Sequence, residues 1–175
     1  MSKGLSLIEL ITAIAILAIF ISLAVPSFSR QINLTHTRTA ATDLYEAIQL
    51  ARSTAVTSGK RVTVAVKKTE WIEGWVVFIY ENNNGRPDID ERVLKQFSEI
   101  ESRITIKTTH RPMKSYISFI STGEGRQIGR ANAGALLMGT INVCSTAEKE
   151  GFALVLSRGG RTRVQPIKEE ECTKT

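Results

Sequence analysis

Arg158, Arg161, Arg163 and Lys168 stand in a segment, 151–168, that contains no acid. Arginine presents a planar fork of donors suited to paired contacts with phosphate. Phe152, Leu154 and Leu156 alternate ahead of the first arginine, and Gly159-Gly160 is a two-residue turn signal. The pattern predicts a hairpin with Arg158 opposite Arg161 and Arg163 on the same face two residues on. Like charges directly opposite destabilise a strand pair. An anionic ligand relieves that repulsion. Aromatic residues are scarce here, so base stacking has no support, and phosphate contact with little sequence preference is the expected mode. Arg126 and Arg130 extend the patch if the fold brings them near. A solvated basic face is the plain alternative.

Other chemistry is weaker. Counted from Tyr80, the residues Asn82, Asn84, Gly85, Asp88 and Glu91 have part of the spacing of an EF-hand calcium loop. Tyr80 stands where an acid belongs, no flanking helices are predicted, and Asn84-Gly85 is accounted for as a turn, so no metal is expected. His36 and His110 lie in no nucleophile elbow or paired catalytic motif, and no phosphate-cradling glycine loop occurs. No enzyme activity and no cofactor are expected.

The 175 residues allow one ordinary domain. With 42% hydrophobic and 23% charged residues, wholesale disorder is excluded. Two Cys and two His, none adjacent, exclude zinc-finger and zinc-ribbon patterns. The net charge of +6 points to a polyanionic partner, and it is segregated. Residues 1–68 hold eight Lys/Arg against three Asp/Glu, 69–101 three against eight, and 102–175 twelve against six.

Glu9 is the one charge in the apolar run 5–25. As a helix the run is about 31 Å long, enough to span a bilayer core. A cleaved secretory signal is the alternative, but the run is long for one and only Lys3 precedes it. A carboxylate in a membrane segment costs about 2.5–3.5 kcal/mol and normally has a partner. No Lys or Arg occurs between Lys3 and Arg30, so that partner is expected on another chain.

Pro26 predicts a kink or boundary. Helical spacing then resumes at Leu44, Ile48, Ala51 and Ala55, and Gly59 suits the residue that ends the helix. Beyond it Val62, Val64 and Val66 alternate with Thr63, Ala65 and Lys67, predicting a strand with one buried face. Further strands are expected at 75–80, 92–97, 103–108, 116–121, 138–144, 152–157 and 161–165, with a loop at 123–134. Short strands separated by Gly, Asn and Pro read as antiparallel sheets. The fold class is α+β, a long N-terminal helix followed by an antiparallel sheet or sandwich head. Trp71 and Trp75 are expected in its core.

Gly4-Leu5-Ser6-Leu7-Ile8-Glu9-Leu10 resembles the processing site of type IV pilins and type II secretion pseudopilins. The resemblance implies cleavage by a prepilin peptidase after Gly4, methylation of the new N-terminus at Leu5, and neutralisation of Glu9 by the α-amino group of a neighbouring subunit during assembly. The family usually has Phe where Leu5 stands. The head is similar to that of GspH/FimT-type minor pseudopilins. The residues that carry this are Ala51-Arg52-Ser53 with Ala55, Trp71 with Gly74-Trp75 and Val77-Phe78, Asn82, Asn84-Gly85, Asp88, Glu91, and Gly160-Arg161-Thr162-Arg163. In FimT-like minor pilins of naturally competent bacteria a Gly-Arg-x-Arg motif near the C-terminus is associated with DNA binding during uptake.

The implied organisation is a leader at 1–4, a transmembrane or fibre-core helix at 5–27, and a periplasmic head at 28–175. In that head the helix reaches about residue 59, a β-rich part covers 61–168, and a short tail follows. The implied location is the inner membrane and then the pilus. The implied partners are DNA phosphates, other pilin subunits and the prepilin peptidase. A structural pseudopilin of a secretion system, or a minor pilin that primes assembly, is the alternative. In an oxidising periplasm Cys144 and Cys172 are expected to form a disulfide. On the chain-entropy model it contributes roughly 3–4 kcal/mol.

Overall fold

The fold is that of a computed structural model, which describes residues 7–81, 91–100, 103–128 and 134–173, and of residues 23–27 the backbone alone. One helix, α1, runs Leu7–Ser58. It continues through Pro26 as one long helix, so of the kink or boundary expected there no boundary occurs. The proline forfeits one backbone hydrogen bond, a loss a helix this long can carry. Gly59 ends it as the spacing predicts: its φ is +69° and its N–H bonds to the carbonyl of Ala55 at 3.1 Å.

Among the described residues eight strands follow, β1 (Val62–Val66), β2 (Trp75–Ile79), β3 (Val93–Gln96), β4 (Ile104–Thr108), β5 (Tyr116–Phe119), β6 (Gly139–Ser145), β7 (Gly151–Leu156) and β8 (Thr162–Ile167). All eight fall where the sequence pattern put them. They form two antiparallel four-stranded sheets, ordered β3-β2-β1-β5 and β4-β6-β7-β8. A short helix, α2 (Glu169–Thr173), closes the described chain in the segment expected as a tail. The stretch after β5 is more ordered than the expected loop. Gly125 bridges Phe119, and Arg126 bridges Leu136.

Leu44, Ile48, Ala51 and Ala55 of α1 are buried and meet both sheets in one core. Val62, Val64 and Val77 of the first sheet and Ile141, Val143 and Leu154 of the second are among its members. Trp71 and Trp75 are buried there, the first donating from Nε1 to the Met113 carbonyl at 2.8 Å. The one-sided burial expected for β1 is corrected. Thr63 and Ala65 are buried as well, because Val76, Phe78 and Tyr80 form a second apolar layer on that face.

Candidate functional site: an arginine hairpin braced by the long helix

β7 and β8 pair with Leu156 opposite Thr162 and Val155 opposite Arg163. Continued into the turn, this register sets Ser157 opposite Arg161, and the Ser157 N–H bonds to the Arg161 carbonyl at 2.9 Å. The turn therefore holds three residues, Arg158, Gly159 and Gly160, and Arg158 does not face Arg161. The Gly160 N–H bonds to the Ser157 carbonyl at 3.0 Å, and its φ is +75°. That is the three-residue hairpin with a left-handed residue at its end. The repulsion of a directly opposed pair is thereby avoided. Arg158 sits at the tip, beside Arg161, which immediately precedes β8, and Arg163 on it.

Arg161 and Arg163 keep the predicted shared face. Residues 161, 163, 165 and 167 alternate onto the side of the sheet away from α1. Ala153, Val155 and Ile167 lie on that side with Cys144 and Cys172. Leu154 and Leu156 face the helix instead. β8 is an edge strand, and Arg158, Arg161 and Arg163 are all exposed. Among the described residues none of the three forms an ion pair.

The other predicted cations are placed differently. Lys168 is exposed at the far end of β8, where its carbonyl accepts the N–H groups of Glu171 and Cys172 at the start of α2. Its sequence neighbours there are Glu169, Glu170 and Glu171, so the structure does not bring it to the hairpin tip. Arg126 does not extend a free patch, because its Nη2 pairs with Glu124 at 2.8 Å and its Nη1 donates to the Gly134 carbonyl at 3.2 Å. Arg130 lies outside the described residues.

The residue that sequence reading gave no role is Arg52. Its Nε donates to the Gly123 carbonyl at 3.1 Å and its Nη2 to the Gly159 carbonyl at 3.3 Å. The two acceptors belong to different segments, so one guanidinium braces the hairpin turn and the 121–124 turn against α1. Glycine completes the contact. A Cβ on Gly160 would stand 1.9 Å from the Gly123 oxygen. The signal available was the Ala51-Arg52-Ser53 stretch at the end of a helical pattern. What it could not show was the partner, more than a hundred residues away.

Cys144 on β6 and Cys172 in α2 form the expected disulfide. Asn142 Nδ2 adds a bond to the Glu171 carbonyl at 2.9 Å, and Lys149 pairs with Glu169 at 2.6 Å. At the same end of the sheet Arg30 of α1 pairs with Glu150 at 3.0 Å. Glu9 lies in the first described turns of α1, among exposed Leu7, Ile8, Leu10 and Ile11. Among the described residues no helix is long and apolar enough to cross a membrane. The described side chains cover only residues 7–22 of the apolar run 5–25. Gly4 and Leu5 lie outside the described residues.

Of the calcium-like spacing, Asn82, Asn84, Gly85 and Asp88 are likewise outside. Glu91 is buried and accepts the Glu81 N–H at 3.1 Å. Among the described residues no group of three or more His, Cys, Asp and Glu side chains converges. His110 precedes a short 3-10 turn, Arg111–Lys114, and His36 lines a cavity of about 370 Å³ between α1 and the segment after β3.

The chain is similar in fold to solved structures of a minor pilin and a minor pseudopilin. The chain is similar to the type IV minor pilin FimU of Pseudomonas aeruginosa, strain PAO1, in two crystal forms. The first gives 21% identity and a TM-score of 0.55 over 74% of this chain and 92% of that one. The second gives 20% and 0.57, over 75% and 90%. It is also similar to EpsH, the minor pseudopilin of the type 2 secretion system of Vibrio cholerae, with 12% identity and a TM-score of 0.51 over 74% and 96%. No curated protein matches the chain by sequence. The family model described as type II transport protein GspH matches residues 40–160, from the buried stripe of α1 to the tip of the hairpin. The chain belongs to this family and has the fold of a GspH/FimT-like type IV minor pseudopilin.

Proposed function

We propose that this minor pilin binds double-stranded DNA through Arg158, Arg161 and Arg163, without base specificity, as a step in DNA uptake during natural transformation. The observation that carries the reading is the pair Arg161 and Arg163. Both are exposed on one face at the start of edge strand β8 with no acid partner among the described residues, and the turn that aims them is braced by Arg52. Three arginines without interleaved aromatics suit phosphate oxygens. Gly160-Arg161-Thr162-Arg163 also resembles the motif associated with DNA in FimT-like pilins. Lys168 is a further phosphate contact in this reading, reached only by a ligand that follows the length of β8.

In the same reading the prepilin peptidase cuts between Gly4 and Leu5, and the methylated N-terminus of one subunit meets Glu9 of another. The chain resides in the inner membrane until it joins a pilus with other subunits. The test is DNA binding by the full-length chain in non-ionic detergent at several salt concentrations, with R161Q/R163Q beside the wild type. Three phosphate contacts give a slope of log K against log salt of about −2.7. Loss of binding in the folded double variant supports the reading. Wild-type protein that ignores DNA at low salt overturns it. The second reading is a structural pseudopilin of a secretion system, favoured by the fold shared with EpsH. Its partner for the same arginines is an acidic protein surface.

A further inference from the structure

The hairpin arginines and α1 flank the β8 edge from its two sides. α1 runs beside it along its whole length. At one end Arg30 reaches Glu150, next to the start of β7, and at the other Arg52 reaches Gly159 in the turn. α1 packs on both β7 and β8. The helix therefore lies alongside the edge strand, and one flank of it borders β8.

That flank carries Arg38, Thr42, Tyr45, Gln49 and Arg52. Their spacing of four, three, four and three residues puts them in a single stripe. The stripe holds no acid. The two acids of this half of α1 turn the other way. Glu46 pairs with Lys95 of β3, and Asp43 lines the cavity beside Trp75 and Phe97. Arg38 is exposed and has no ion pair among the described residues. Arg52 commits N–H groups to two carbonyls and keeps the rest of its charge at the junction with the hairpin tip. Arg38 and Arg52 are fourteen positions apart, about 21 Å along the helix, a length that spans about six base pairs of duplex.

We infer that the stripe Arg38–Thr42–Tyr45–Gln49–Arg52 on α1 is a second row of contacts for the sugar-phosphate backbone of duplex DNA, met across the β8 edge from Arg161 and Arg163, which face away from α1. The inference rests on the DNA reading of the hairpin and enlarges its site. Charge complementarity selects the occupant. Two arginines alternate with hydroxyl and amide side chains, the types that contact phosphate and sugar oxygens without reading bases. The rows are rigid with respect to each other because Arg52 joins them. A rigid site does not have to order its cations when the polyanion arrives.

The experiment measures duplex binding by the full-length chain in non-ionic detergent over a range of salt, comparing wild type with R38Q, K114Q and R161Q/R163Q. Lys114 is an exposed control on the β4 side of the head, the opposite edge of the second sheet. Five phosphate contacts give a wild-type slope of about −4.5, and R38Q is expected to reduce its magnitude by about 0.9 with no change in Tm. K114Q is expected to match the wild type. A wild-type slope near −2.7 with R38Q unchanged overturns the inference and leaves the hairpin as the whole site. Equal losses in R38Q and K114Q overturn it too, because net charge then explains the effect. Wild-type protein that does not bind DNA removes the hairpin reading and this inference together. DNA binding that R161Q/R163Q leaves untouched while R38Q abolishes it removes the hairpin reading and the two-row site, and leaves α1 as the contact.

Discussion

Arg52 and Gly159 are joined across the molecule, the guanidinium Nη2 of the helix donating to the carbonyl of the hairpin turn at 3.3 Å. Through the same side chain the turn at Gly123 is held. The orientation of three exposed arginines thus depends on a fourth that faces partly inward.

Arg52→Ala should destabilise the head by about 1–2 kcal/mol, the lower part of the range for charged hydrogen bonds because the side chain is partly exposed. Arg52→Lys keeps the charge but loses the fork. Amide exchange at Gly160, whose N–H bonds to Ser157, should accelerate in both variants. Unchanged exchange would show that the turn holds its shape without the brace.

Gly160→Ala changes no charge. Alanine must adopt φ near +75°, and its methyl meets the Gly123 oxygen. The backbone conformation alone costs of order 1–3 kcal/mol. A lower Tm is expected, with weaker polyanion binding at an unaltered net charge. Gly159→Ala is the control, since a Cβ there meets nothing within 4 Å.

Removing the disulfide should cost roughly 3–4 kcal/mol on the chain-entropy model, given a sequence separation of 28 between the cysteines. C144S/C172S is expected to lower the denaturant midpoint and to expose the α2 amides to exchange. Reduction of the wild type should reproduce both effects.

Glu73 makes an acid-side prediction. Its carboxylate accepts from the Thr69 hydroxyl at 2.7 Å and from the N–H groups of Thr69 and Glu70 at 2.8 and 3.0 Å. These bonds hold its pKa down to about 2, from an ordinary 4.5. A carboxyl held lower in the folded state stabilises it fully above pH 4.5 and loses that contribution as pH falls toward 2. Glu73→Gln should flatten this part of the stability profile, read from the fluorescence of neighbouring Trp71.

Much of this fold is legible in the sequence, because period-two runs broken by Gly, Asn and Pro leave the strands few places to be. The end of α1 at Gly59 follows from the same local logic. The hairpin register does not. Gly159-Gly160 reads as a two-residue turn, whereas the structure uses Arg158 as well. Gly160 takes its left-handed conformation against Gly123, a contact between distant segments. Arg126 was closer to hand, since Glu124 two residues earlier lies on the same face of an extended segment. The buried outer face of β1 depends on which aromatic side chains cross it, and α2 depends on Cys172 finding β6. In the sequence Arg52 belongs to the Ala51-Arg52-Ser53 resemblance and has no role of its own. The sequence has no mark for the distant carbonyls it holds.

The bridge from Cys144 to Cys172 also has a mechanical consequence. The chain leaves β6 at Cys144, passes up β7, around the arginine turn and down β8, and returns to β6 through sulfur. The hairpin is therefore part of a closed covalent ring. Tension applied at its tip along the strands draws β7 and β8 together and loads the hydrogen bonds between β7 and β6 in shear. β8 cannot be unzipped from its C-terminal end, because that end is fastened to the next strand but one. A polymer tugging on Arg158, Arg161 and Arg163 pulls against the second sheet as a unit.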